Sequence, residues 1–192
     1  MALEGTTSSK IDFEPVIKAK FTICSMTQYT GGTKRKILQG KERNWLHGQY
    51  EGNTGLAFYD EWQTSNAKNI DQVTNWVVMC GTNAGSQPKL ANGVDVGSKP
   101  SDGSSVTLQV NQGWSQDQSR DQTSDFAIAE VMVWDRDFTY KDMHGASGYI
   151  MPKLADPRLS HHAACSNTSL KSPSCVTNNS LELMMTLGFA SR

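Results

Sequence analysis

The sequence predicts an all-β fold, a two-sheet antiparallel jelly-roll sandwich with a short helical turn near its end. Three observations predict it. Most segments between Phe13 and Trp134 are short, alternating or wholly apolar, and bounded by Gly, Asn and Asp. Asn92-Gly93 stands between Leu90-Ala91 and Val94-Asp95, and this pair suits a type I′ hairpin because both central residues need positive φ. No stretch carries a long helical period.

Each element follows from its residues. "FTICSMTQY" has strand composition and ends at Gly31-Gly32. "RKILQGK" is a short, half-polar strand. "NWLHGQY" and "LAFYDEW" form a hairpin across "EGNTG". "NWVVMCGTN" is apolar on both sides, so it is expected in the middle of a sheet. "SVTLQVNQ" alternates Val106, Leu108 and Val110 with Thr107, Gln109 and Asn111, which predicts one solvated face. "SDFAIAEVMVWDRDFT" is the most apolar stretch. Simple alternation places Phe126, Ile128, Glu130, Met132 and Trp134 on one face and Ala127, Ala129, Val131 and Val133 on the other. A helix start follows. Thr139 is the expected N-cap, with Asp142 three residues on and Phe138 and Met143 at staple spacing.

The 192 residues suit one domain, expected over 11–150, with an appendage over 151–192 that is rich in Ser, Asn and Thr. A net charge of -1 gives no field toward nucleic acid or an anionic membrane. No run approaches the ~20 apolar residues of a membrane-spanning helix. The first residues show neither the basic nor the apolar region of a signal peptide. Cys24 and Cys80 lie in apolar strands and are expected to act as small core hydrophobes, while Cys165 and Cys175 in the tail can pair. His161, His162 and Cys165 form a sparse metal-type cluster without zinc-finger spacing. Asn167 and Asn178 stand in N-x-S sequons, which matter in a secreted chain.

Trp76-Val77-Val78, Asn92-Gly93-Val94 and Ala129-Glu130-Val131 with Trp134-Asp135-Arg136 occur in an order that resembles the laminin-G-like, concanavalin-like jelly roll, over roughly Ile11 to Ile150. The segment "NWLHGQYEGNTGLAFYDEW" resembles protist and algal members of that group. The resemblance implies a binding module for carbohydrate or a glycosylated partner in an extracellular or cell-surface setting. It also allows two alternatives, a structural module within a larger assembly and a glycoside hydrolase of the same fold.

The candidate residues fall into four groups. A retaining glycosidase needs two carboxyls about 5.5 Å apart. Glu130 has no same-face carboxylate, since Asp135 follows at an odd step. The chain is therefore expected not to be an enzyme, and Glu130 to be a buried acid held by backbone donors or a basic partner. Asp117, Asp121 and Asp125 alternate with hydroxyl residues in "DQSRDQTSD" and are the candidate ligands for calcium. The basic run supplies Lys34, Arg35, Lys36 and Arg43 as candidates for acidic groups on a polysaccharide, against a solvated hairpin edge. Trp114 opens the polar loop and is the expected sugar-stacking aromatic, while Trp45 and Trp62 are expected in the core.

Overall fold

A computed structural model describes residues 2–65, 70, 75–85, 87–101, 103–111 and 121–155, together with the backbone of 162–164. The strands form two sheets. The larger has the order β12-β1-β11-β3-β7-β8-β9. Its members are β1 (Ala2–Gly5), β3 (Thr22–Tyr29), β7 (Val77–Thr82), β8 (Lys89–Ala91), β9 (Val94–Gly97), β11 (Phe126–Trp134) and β12 (His162–Ala164). The smaller has the order β2-β10-β4-β5-β6, built from β2 (Ile11–Asp12), β4 (Leu38–Gly40), β5 (Trp45–Tyr50), β6 (Asn53–Tyr59) and β10 (Leu108–Val110). All pairings are antiparallel except β1 with β12. This is the expected all-β sandwich, with β7 and β11 inside the larger sheet.

The core between the sheets holds Phe21, Ile23, Trp45, Tyr59, Met79 and Phe126, all almost fully buried. Trp45 stacks on Tyr59 with ring centroids 5.1 Å apart, and Phe21 meets Tyr59 edge-on at 5.1 Å. His47 lies among them. Its Nε2 donates to the Met79 carbonyl at 3.1 Å, so Nδ1 accepts from the Tyr59 hydroxyl at 2.7 Å. Burial pushes the His47 imidazole down to about 4, so it is neutral, and pushes the Tyr59 phenol up.

A second apolar layer lies on the other face of the larger sheet. Helix α1 (Tyr140–Ile150) packs Met143 and Ile150 onto Cys24, Met26, Val78, Cys80 and Met132. The capping box forms as expected, with Thr139 accepting from the Asp142 amide and Asp142 accepting from the Thr139 amide. Phe138 and Met143 are both buried, as the staple requires.

Three expectations are corrected. The first concerns faces. The register of β11 against β3 shifts between Ile128 and Glu130, a bulge that adds one residue. Phe126 and Ile128 therefore share the inter-sheet face with Val131 and Val133, while Ala127 and Met132 face α1. The second concerns Cys24 and Cys80. They are buried, and they also form a disulfide directly across β3 and β7. The third concerns β10, which has no solvated face: it lies between β2 and β4, and Gln109 and Asn111 are buried. Asn111 sits at φ 56, donates to the Thr6 and Ser124 carbonyls, and accepts from the Ser124 amide. Its side chain is thus a clamp between segments rather than a solvent-facing group.

The Asn92-Gly93 turn carries the expected positive φ values of 47 and 78. Glu51 and Gly52 turn β5 into β6 with φ 49 and 79. That second turn sets the hairpin on which the candidate site is built.

Candidate functional site

Trp45, His47 and Tyr59 point into the core, so their neighbours Leu46 and Phe58, which pair across the hairpin, lie on the outer face of the smaller sheet. Tyr50 and Trp62 join Phe58 there. Trp62 meets Phe58 edge-on at 5.2 Å and Tyr50 at 6.4 Å, and all three rings are half-buried. Trp62 is held because the chain doubles back after β6. It bridges to Phe58, and Gln63 donates to the Ala57 carbonyl at 3.0 Å.

Lys36 stands beside this trio. It is 4% exposed, donates to Asn44 Oδ1 at 2.7 Å, and lies 5.8 Å from the centre of the Tyr50 ring. No carboxylate among the described residues pairs with it. Burial pushes the ammonium down to about 8. Its main chain is fixed: the amide donates to the Gln122 carbonyl, and the carbonyl accepts from the Ser124 hydroxyl. Next along the same face runs a row of amides, Gln39 opposite Gln109 and Gln109 opposite Asp12. Gln109 donates to Asp12 Oδ2 at 2.7 Å. The Oε1 atoms of Gln39, Gln109 and Gln122 are buried and accept no hydrogen bond from the described residues.

The remaining sequence candidates disperse. Lys34 is exposed. Arg35 pairs with Glu51 at 2.9 Å, and Arg43 binds Asp60 at 3.0 Å and the Ser104 hydroxyl at 2.7 Å. Consecutive basic residues thus have different environments, and Lys36 alone of Lys34, Arg35 and Lys36 is buried. Asp125 accepts from the Thr7 amide at 3.3 Å and the Thr33 amide at 3.1 Å, so its carboxylate clamps two loops. Asp121 is exposed and accepts from the Thr123 amide at 2.9 Å. Among the described residues no group of three or more acidic, His or Cys side chains is placed to hold a metal. Trp114 and Asp117 lie outside the described residues, as do the sequons and the side chains of the His161, His162 and Cys165 cluster.

Glu130 belongs to the opposite sheet. Its Oε2 accepts from Lys153 Nζ at 2.5 Å, with side-chain exposures of 12% and 35% for the acid and the base. Lys153 comes from the 3₁₀ turn Met151–Ala155 and also covers the Tyr149 ring at 4.1 Å. Burial alone would lower the lysine pKa, but the Glu130 hydrogen bond and charge outweigh it and raise it.

Tyr50 and Trp62 are among the aromatics the sequence offers for stacking on a sugar, but Phe58 is not singled out there and Trp62 is expected in the core; the structure instead places Trp62 half-buried on the outer face. The available signal was the alternation of β5 and β6. Both faces of that hairpin carry aromatic or aliphatic residues, so the period alone did not say which face looks outward.

No protein-family model matches the chain, and no curated protein matches it. Solved structures with a partly similar shape include a Trypanosoma rangeli sialidase in complex with sialic acid. That match has 9% identity and a TM-score of 0.41, over 77% of this chain and 28% of that one. The covalent-intermediate complex of the T. rangeli sialidase with 2,3-difluorosialic acid matches at 11% identity and TM-score 0.40, over 71% and 23%. A mutant of the sialidase displaying trans-sialidase activity matches at 13% identity and TM-score 0.39, over 65% and 22%. The chain thus spans about a quarter of the length of these chains. The expectation that the chain is not an enzyme is corrected accordingly and is not kept, because the chains it resembles in shape are those of an enzyme. At this identity and TM-score the likeness assigns no activity of its own.

Proposed function

We propose that the chain recognises carbohydrate, free or on a glycosylated partner, through the outer face of the smaller sheet. The observation that carries this reading is the half-exposed Tyr50–Trp62–Phe58 group standing beside a fixed lysine. Aromatic faces pack against the axial C–H groups of a sugar ring, and convergent polar groups orient it. Asn44, at hydrogen-bond distance from Lys36, offers a further amide at the rim of the group. On this reading the chain is a lectin-like module of laminin-G-like type. An extracellular setting agrees with the Cys24–Cys80 disulfide, since such bonds persist where the environment is oxidising. Recognition on this face holds whether or not the bound sugar is also turned over.

A glycan array tests the proposal, run with and without calcium on the wild type, Trp62→Ala and Tyr50→Ala. Binding by the wild type that both variants lose, with their melting transitions kept, is the expected result. Binding that survives both substitutions would place recognition elsewhere.

A further inference from the structure

We infer that the ligand of this face carries an anionic group, carboxylate or sulfate, and that Lys36 is the residue that selects it. The inference rests on the proposal of carbohydrate recognition and adds the charge class of the sugar.

The charges around this face are unevenly matched. Three basic residues in the same stretch as Lys36 each have a carboxylate partner: Arg35 with Glu51 at 2.9 Å, Lys41 with Asp12 at 3.7 Å, and Arg43 with Asp60 at 3.0 Å. Among the described residues, Lys36 has only the neutral Asn44 carbonyl and the Tyr50 ring. An ammonium removed from water without a counter-charge is costly, and buried lysines are ordinarily paired. A solvated edge lysine would carry no such cost, but Lys36 is among the buried residues, held by main-chain bonds at both its amide and its carbonyl. No carboxylate among the described residues offsets that cost. An arriving anion relieves it by a charge-assisted hydrogen bond in an already desolvated place, where such a bond is strongest. A neutral sugar gives no such relief. The two residues that flank the ammonium, Asn44 and Tyr50, are half-buried, so the route to it runs past the aromatic group that would hold the ring.

The test compares three probes that share one core: lactose, 3′-sialyllactose and 3′-sulfolactose. Affinities are measured by calorimetry on the wild type, Lys36→Met, Lys36→Gln and, as a surface control, Lys20→Met. Met keeps the length of the buried stem, and Gln serves if Met alters the melting transition. The expected result is that the wild type prefers one or both acidic probes by at least about tenfold, the ratio that 1.4 kcal/mol represents. That preference should vanish in both Lys36 variants and persist in Lys20→Met. A carboxylate ligand is indicated if only sialyllactose is preferred, a sulfate if only sulfolactose is. Equal affinity for all three probes in the wild type overturns the inference and leaves carbohydrate recognition standing. So does a preference that survives Lys36→Met and Lys36→Gln. Absence of binding to every probe and to every glycan on the array overturns both.

Discussion

Breaking the Cys24–Cys80 bond should lower stability more than any single surface change. The two cysteines face each other across β3 and β7, 56 residues apart in sequence, with both side chains in the layer under α1. Closing a loop of that length removes chain entropy worth about 4 kcal/mol at 25 °C in the unfolded state. For a chain of this size each kcal/mol moves the melting temperature by roughly 2–4 °C, so the loss corresponds to about 8–16 °C. The assay is calorimetry on protein made in an oxidising compartment, set against Cys24→Ala/Cys80→Ala. The link itself is read by unfolding in an alkylating reagent, followed by peptide mapping. Recovery of both Cys24 and Cys80 as alkylated thiols would show that no such bond holds the fold, and a double variant that melts within about 2 °C of the wild type would show that the bond does not stabilise it.

Further outcomes follow from the Glu130–Lys153 pair and from His47. Lys153→Met should destabilise by about 1–3 kcal/mol, between the value of an exposed pair and the cost of stranding a buried carboxylate, because Glu130 is mostly buried and Lys153 is a third exposed. Glu130→Gln combined with Lys153→Met should cost less than the two single changes added together, as a double-mutant cycle by denaturant titration will show. The lysine pKa is raised in the fold, so the stability it contributes is present at neutral pH and is lost as pH rises beyond the ordinary lysine range. His47 works in the opposite sense. Its folded value is lowered from 6.5 to about 4, so the folded state binds fewer protons than the unfolded state between these values. Stability should therefore fall as pH drops from 6.5 toward 4, and the fall should be smaller in His47→Gln, measured by denaturant midpoints across that range.

The parts of the fold legible in the sequence are those written in local chemistry. Asn92-Gly93 specified its turn because few other pairs accept positive φ twice in succession. Thr139, Asp142, Phe138 and Met143 specified the helix start because capping involves residues three and four apart. What was hidden depends on contacts distant in sequence. The bulge in β11 inverts the faces after Ile128, and nothing in the alternation marks it. The Cys24–Cys80 bond depends on the register of two strands that are not neighbours in the chain. The sequence predicts that Glu130 rests on backbone donors or a basic partner, and Lys153 is that partner, supplied from 23 residues away.

The same distinction applies to the site. Composition alone picked out the basic run, but only the fold separates Lys36 from Lys34 and Arg35. The anchoring groups, the Gln122 carbonyl and the Ser124 hydroxyl, lie more than 80 residues further along. Trp62 reaches the outer face through a reversal of the chain after β6, which its tryptophan character does not reveal.

Carbohydrate recognition on the outer face of the smaller sheet is tested most directly by mapping. Uniformly labelled protein is titrated with the strongest array glycan, and amide shifts are followed by NMR. The largest shifts should cluster at Lys36, Asn44, Tyr50, Phe58 and Trp62, with α1 unaffected. Shifts concentrated on α1 or on the β8–β9 hairpin, with this cluster silent, would contradict recognition on this face.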